Sequence, residues 1–457
     1  MLSQKNRYNH KLRLRLFADG IAVGVLASLV ISFFRYALEL AEQWRSVFYN
    51  RVSPASPQFF IWLGVLAIVA YVLNKLTRIE PLASGSGIPQ VKGALLNLIK
   101  MNWLRVIWVK IAGGVTGIGA GLSLGREGPS IQLGAMTAQG YAKMAHRNNV
   151  EMRYLISSGA AAGLAAAFNA PLAGVIFALE ELHHNFSMPV LIPGMAAAFV
   201  STFVSRTIFG GGSVFIFPEF HTLELSQCYL VIGTALVAGL AGILFNQGLL
   251  NINRFYRLPL FPNTFSKIIF ALCVSVALGL TFPQVLGGGS QLINYLAHNA
   301  VSLELLLLFL ATKFVFTLIS YGLGIPGGFF LPMLVIGALT GAVCGRILFA
   351  LGLIGATNMP NILVIGMVAF FAASVRAPIT GTILIMEMSR SYTILLSCGM
   401  AAMIGFVLAE LLRSKPIYEA LLEQTLHQQK YAQLLQKEDL SHRNHDLQEE
   451  DQYYNEE

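Results

Sequence analysis

Long runs without a charged side chain recur along this chain, at 58–73, 154–179, 185–205, 229–250, 314–345, 347–375 and 391–409. Several exceed the ~20 apolar residues that a helix needs to cross a bilayer. Others are too long for one crossing and too short for two, and glycine or proline interrupts many of them. The pattern predicts an all-α, polytopic membrane protein. Its helices should be of unequal length, some broken or re-entrant. Composition agrees: 12% of the 457 residues are charged and 55% are hydrophobic, where soluble domains run near ~25% charged. The deficit is chain-wide, which excludes a soluble domain carrying one anchor.

Charge distribution suggests orientation. Lys5, Arg7, Lys11, Arg13 and Arg15 precede an apolar run at 21–34. More spans follow, so this start reads as a retained cytoplasmic N-terminus and not as a cleaved signal peptide. Residues 1–437 carry 30 basic against 15 acidic side chains, and the remaining residues carry eight acidic and one basic. A basic membrane body suits orientation and lipid contact; it gives no reason to expect nucleic acid. Cys228, Cys273, Cys344 and Cys398 are far apart, form no CxxC pair and read as free thiols. Residues 1–425 are expected to form one membrane domain, in halves of roughly 15–210 and 225–425, and 426–457 a polar, acidic cytoplasmic tail.

Two adjacent charges break the apolar pattern. Arg126 and Glu127 lie in Gly125-Arg126-Glu127-Gly128-Pro129, and no other Asp, Glu, Lys or Arg occurs between Lys110 and Lys143. A charge at the bilayer centre costs roughly 2.5–3.5 kcal/mol on insertion scales. Such a residue persists only where protein or water surrounds it, so Glu127 is the first candidate for chemistry.

The chain also repeats itself. Shifted by 203 residues, Lys110 meets Lys313, Gly119 meets Gly322, Gly121 meets Gly324, Gly125 meets Gly328, Pro129 meets Pro332, and Gly134 meets Gly337. At a shift of 207, Ala170 meets Ala377, Pro171 meets Pro378, Gly174 meets Gly381 and Glu180 meets Glu387. Transporters built from such repeats place the ion site at the repeat interface, marked by Gly/Pro-interrupted segments. That rule points to Gly125–Pro129 and Gly327–Pro332, with Glu127 at the position of Phe330.

Three motifs place glycine, then proline, before a helix-like run: Gly85-Ser86-Gly87-Ile88-Pro89, Gly125 to Pro129, and Gly327-Gly328-Phe329-Phe330-Leu331-Pro332. Proline is tolerated in the first helical turn. A helix N-terminus offers unpaired N–H donors and roughly +0.5 charge. Three converging N-termini would bind an anion without a fixed cation, which would hold it too tightly for transport.

These motifs, with Lys415-Pro416-Ile417-Tyr418, resemble the CLC family of chloride channels and chloride/proton exchangers over roughly residues 15–425. The resemblance implies two inverted-topology repeats, about 18 helices, and a homodimer with one pore per subunit. It implies that Ser86 and Tyr418 donate hydroxyls to a central chloride, with backbone N–H groups near Phe329 and Phe330. Glu127 would be the gate and outer proton site, and Glu181 the inner proton site. Gly85, Gly87, Pro89, Gly125, Arg126, Gly128 and Pro129 would support them, and Glu180 would help water or protons reach Glu181. The implied function is antiport of chloride against protons across the cell membrane, with neither cofactor nor metal; the alternative is a passive chloride channel. Ser86 fits chloride and not nitrate. Gln90 and Lys92 stand where some bacterial exchangers carry acids, so the inner proton route should differ in detail. The nucleotide-binding tandem of some family members is not expected.

Other features are weaker. Gly121-Leu122-Ser123-Leu124-Gly125 matches the GxSxG of serine nucleophiles, but no histidine is evident at membrane depth to act as base. His183-His184 lacks HExxH spacing and reads as interfacial. Lys110 and Lys313 are expected to snorkel or to contact helix-end carbonyls.

Overall fold

The computed structural model describes residues 2–51, 56–220 and 227–430; the rest of the acidic tail lies outside the described residues. The first half contains α1 (Leu2–Arg51), α2 (Pro57–Ile79), α3 (Ile88–Leu95), α4 (Trp103–Gly119), α5 (Glu127–Met144), α6 (Asn149–Phe168), α7 (Pro171–Phe177) and α8 (Met188–Phe209). The second contains α9 (Cys228–Phe255), α10 (Thr264–Thr281), α11 (Ser290–His298), α12 (Leu303–Tyr321), α13 (Phe330–Ala350), α14 (Met359–Val375), α15 (Pro378–Ser389) and α16 (Leu395–Leu411). A last helix, α17, covers 417–430 and passes the expected boundary at 425 without a break. These are 17 helices among the described residues, one fewer than the resemblance implied. Among the described residues, eight helices are long and apolar enough to cross a membrane. α3, α7 and α11, at 8, 7 and 9 residues, are too short to do so.

α1 to α8 pair in order with α9 to α16. Glu127 and Phe330 open α5 and α13, and Pro171 and Pro378 open α7 and α15. The turns before α3 and α11 match in conformation: Gly85 and Gly87 have φ of 60° and 88°, Gly287 and Gly289 of 60° and 89°. Side chains rarely adopt such values, so glycine is needed there.

Reciprocal contacts make the repeat inverted. Glu180, just beyond α7, accepts from Ile379 N (3.1 Å) and Thr380 N (2.7 Å) at the start of α15. Glu387, near the end of α15, accepts from Leu172 N (3.1 Å) and Ala173 N (2.8 Å) at the start of α7. Each carboxylate satisfies the orphan donors of the other helix. Two helices whose ends cap each other in this way run antiparallel, so the halves are related by a two-fold turn and not by translation. Gly125 and Gly328 exchange both main-chain hydrogen bonds, at 2.6 and 2.9 Å, about the same axis.

Glycine lets the central helices meet backbone to backbone. In the first half α5 and α6 touch through Gly134 and Gly159, and in the second α13 and α14 touch through Gly337, Gly341 and Gly366. A Cβ on Gly366 would lie 2.6 Å from Gly337 O and 2.7 Å from Gly341 N. Those are main-chain atoms and have no rotamer to yield. Lipid tails are as apolar as leucine, so close packing, and not burial from water, holds such pairs together. Gly366→Leu is expected to cost about 3 kcal/mol, the upper end of ordinary overpacking. Thermal unfolding in detergent reads this as a lowered midpoint; an unchanged midpoint would contradict this helix contact.

Candidate functional site

The three glycine–proline motifs meet. Gly85 N donates to Ile325 O at 3.0 Å, and Gly327 N to Gly85 O at 3.1 Å. Gly328 packs on Gly128, with a Cβ there only 3.3 Å from Gly128 N, and a Cβ on Gly128 would meet Ser86 O at 2.8 Å. The N-termini of α3, α5 and α13 therefore gather around these loops, bringing Ser86, Glu127, Phe329 and Phe330 into one region.

Two buried lysines stand behind glycine-containing loops. Lys110 Nζ donates to Gly85 O at 2.9 Å, and its repeat counterpart Lys313 donates to Val285 O and Gly287 O at 2.8 and 2.7 Å. Neither is exposed to solvent at all, so they do not snorkel; carbonyl contact is what they make. In a trans peptide the C=O and the next N–H point in opposite directions. Turning the Gly85 carbonyl onto Lys110 thus turns the Ser86 N–H away from it. Lys110 thus holds a carbonyl of the first motif, and Lys313 holds the loop before α11, which is none of the three motifs.

Glu127 opens α5 and is 1% exposed. Main-chain amides of Glu127 itself and of Leu331 interact with its carboxylate. Its Oε2 has no hydrogen-bond partner, and it fills the space where a Gly125 side chain would lie. Arg126 is no close partner: its Nε is 4.0 Å from Glu127 Oε1, and its Nη1 is 3.5 Å from Glu39. A cavity lined by Glu42, Arg45, Arg126, Phe168 and Leu331 reaches Glu127.

Ser86 is buried, and its Oγ accepts from Ile88 N at 3.3 Å, which leaves its own hydrogen to donate. Tyr418, from α17, is fully buried with a hydroxyl that has no hydrogen-bond partner in the protein. Its ring stacks on Phe329 at 5.4 Å and 26°. Phe330 packs instead against Phe168, Phe177 and Phe371. Tyr418 lies within electrostatic reach of both Glu127 and Glu181.

Glu181 and Glu180 separate in role. The chain widens into a π-type turn over Ala178–His183, a distortion frequent at functional positions. Glu180 turns to cap α15, accepting from Thr380 Oγ1 as well at 2.7 Å. That bonding gives it a structural role at the start of α15. Glu181 is 2% exposed and pairs with Lys92 at 3.2 Å. Lys92 also meets His184 Nε2 at 2.8 Å and Glu419 Oε1 at 3.1 Å. His184 is therefore bound to a buried lysine and is not merely interfacial. Gln90 donates to Ser84 O at 3.3 Å and takes no part in that cluster. Ser123 Oγ bonds Thr317 Oγ1 at 2.8 Å, a partner that is no base.

Tyr321 was not foreseen. Its hydroxyl lies beside the first motif, 3.0 Å from where a Gly85 Cβ would sit, and its ring stands edge-on to Phe329 at 4.8 Å and 88°. It also lines a second cavity with Ser84, Gly85 and Gln90. A tyrosine ending an apolar helix gives no sequence signal; only the fold brings it to Ser86. Glu419 had a weak signal, being next to Tyr418.

Residues 65–410 match the family of voltage-gated chloride channels. The chain belongs to this family, the CLC proteins. It is 35% identical to the H(+)/Cl(-) exchange transporter ClcA of Vibrio campbellii over 430 residues, covering 92% of this chain and 91% of that one. It is 36% identical to the ClcA of Cronobacter sakazakii over 379 residues, 81% and 80% of the two chains. Among solved structures, a slow cyanobacterial Cl-/H+ antiporter is similar at a TM-score of 0.86 and 32% identity, covering 91% of this CLC chain and 99% of its own. A eukaryotic CLC transporter shares the fold at a TM-score of 0.75 and 22% identity, covering 90% and 74%. This CLC chain is thus a multi-span membrane protein of an ion-transport family.

Proposed function

We propose that this protein exchanges chloride for protons across the cell membrane, with Glu127 as gate and outer proton site. The observation that carries this reading is the buried Glu127 carboxylate among the N-termini of α5 and α13, the place an anion would take. Carboxylate and chloride are alternative anions for the same amides, so protonating one admits the other. Chloride would be held by the Ser86 and Tyr418 hydroxyls and by the amides of Phe329 and Phe330. Glu181 would take up protons on the cytoplasmic side. Support comes from the names of the relatives and of the cyanobacterial structure, which are exchangers. The chain would act as a homodimer with both termini cytoplasmic and no cofactor.

A passive chloride channel is the second reading. The ion pair of Glu181 with Lys92 favours it, because a carboxylate held by a buried lysine can be a structural partner instead of a proton carrier. Reconstituted vesicles separate the two. Under an imposed chloride gradient an exchanger drives protons uphill, read by a pH electrode; robust chloride flux with no proton movement would leave the channel.

A further inference from the structure

Four ionisable side chains form a connected row that ends at Glu181. Lys92 Nζ lies 3.2 Å from Glu181 Oε1, 3.1 Å from Glu419 Oε1 and 2.8 Å from His184 Nε2. His184 Nε2 is also 3.1 Å from Glu419 Oε1. Exposure is graded along the row: the side chains of Glu181 and Lys92 are 2% and 5% exposed, those of Glu419 and His184 42% and 53%. Three separate elements build it. Lys92 comes from α3, Glu181 and His184 from the π-type turn and its end, and Glu419 from α17. Neighbouring ionisable groups are otherwise engaged. Glu180 caps α15, and His183 bonds Ser157 Oγ.

We propose that His184, Glu419 and Lys92 form a proton relay that delivers protons from the aqueous edge to Glu181. This rests on the exchange reading above and adds its cytoplasmic proton inlet. With His184 neutral, one ammonium faces two carboxylates, and the row carries one net negative charge. A single added proton makes it neutral, which favours uptake of one proton and resists a second.

Solvent protonates His184, placing a second cation beside the Lys92 ammonium. A Lys92 N–H bond breaks and a Glu181 O–H bond forms, leaving a neutral amine and a neutral acid. The amine lone pair then takes the Nε2 proton of His184, which restores the lysine ammonium and the neutral imidazole. One proton has passed from solvent to Glu181. Glu419 holds His184 and Lys92 together and offsets their charge while both are cationic.

Arginine separates a relay from a counter-ion. Its guanidinium keeps the positive charge and pairs with carboxylates, but it does not give up a proton in proteins. The experiment reconstitutes wild type, Glu181→Gln, Lys92→Arg and His184→Gln in parallel and reads the proton-to-chloride ratio under a chloride gradient. Chloride flux in the same vesicles reports that each variant is folded. The ratio should fall about 100-fold in Lys92→Arg, the low end for losing a positioned proton-transfer group. It should also fall in His184→Gln, which leaves the buried Lys92–Glu181 pair intact. Wild-type coupling with an unchanged ratio in Lys92→Arg would overturn the relay alone and make Lys92 a counter-ion. A wild type that moves chloride but no protons would overturn the exchange reading and the relay with it.

Discussion

Glu127→Ala is expected to abolish proton pumping and to leave chloride flux that no longer responds to pH. At the α5 N-terminus the carboxylate is buried and its Oε2 unpaired. Two unit anions 4 Å apart repel by about 4 kcal/mol at an effective dielectric near 20. That is roughly a thousandfold in occupancy, enough for the ionised glutamate to exclude a chloride from its amides. A proton on Glu127 removes the repulsion, so acid should accelerate exchange in the wild type. Alanine supplies neither the competing anion nor a group to carry the proton. Chloride flux should then be flat between about pH 4 and 7, the range in which acid would otherwise titrate a carboxylate. Flux from proteoliposomes at several pH values checks this. Retained acid activation in the alanine variant would place the gate elsewhere. Arg126, at 4.0 Å and a quarter exposed, is expected to change the chloride affinity without removing the coupling.

Why Glu127 was legible from the residues alone, while Lys92 was marked only by the resemblance and its partners not at all, is a matter of contrast. Glu127 stands alone in a long apolar stretch, so its cost identifies it. The halves were legible because Pro129, Pro332, Pro171 and Pro378 open helices, and a helix start constrains residue type. Glu180 matched Glu387 at the same shift, but their reciprocal capping depends on two helices meeting across the fold. No spacing along one chain expresses that contact. Lys92, His184 and Glu419 are separated by up to 327 positions and look like ordinary charges at helix ends. Tyr321 is hidden in the same way. Sequence periodicity reports which face of a helix is apolar; it does not report which distant loop that face covers. Lys110 and Lys313 fall between these cases: the repeat marked them, while their burial behind the loops required the tertiary structure.

Glu181→Gln is expected to remove proton transport while chloride still crosses. Glutamine keeps the shape and an acceptor oxygen for the Lys92 ammonium, so the packing around the π-type turn should hold. It has no carboxylate to protonate at any physiological pH. Removing a positioned proton carrier typically costs about 100-fold or more, so proton flux should fall to the vesicle leak. Chloride flux should persist, because Ser86, Tyr418 and the α13 amides are untouched. Lys92 would not be left uncompensated either, since Glu419 remains 3.1 Å away. That matters to the interpretation: stranding a buried charge can destabilise by about 3–5 kcal/mol, and such damage would lower both fluxes. A selective loss of protons therefore identifies Glu181 as the carrier, and a parallel loss of both ions identifies it as structural. Proton pumping that survives the substitution would move the inner proton site to another group, with Glu419 the first to examine, because it is the other carboxylate on Lys92.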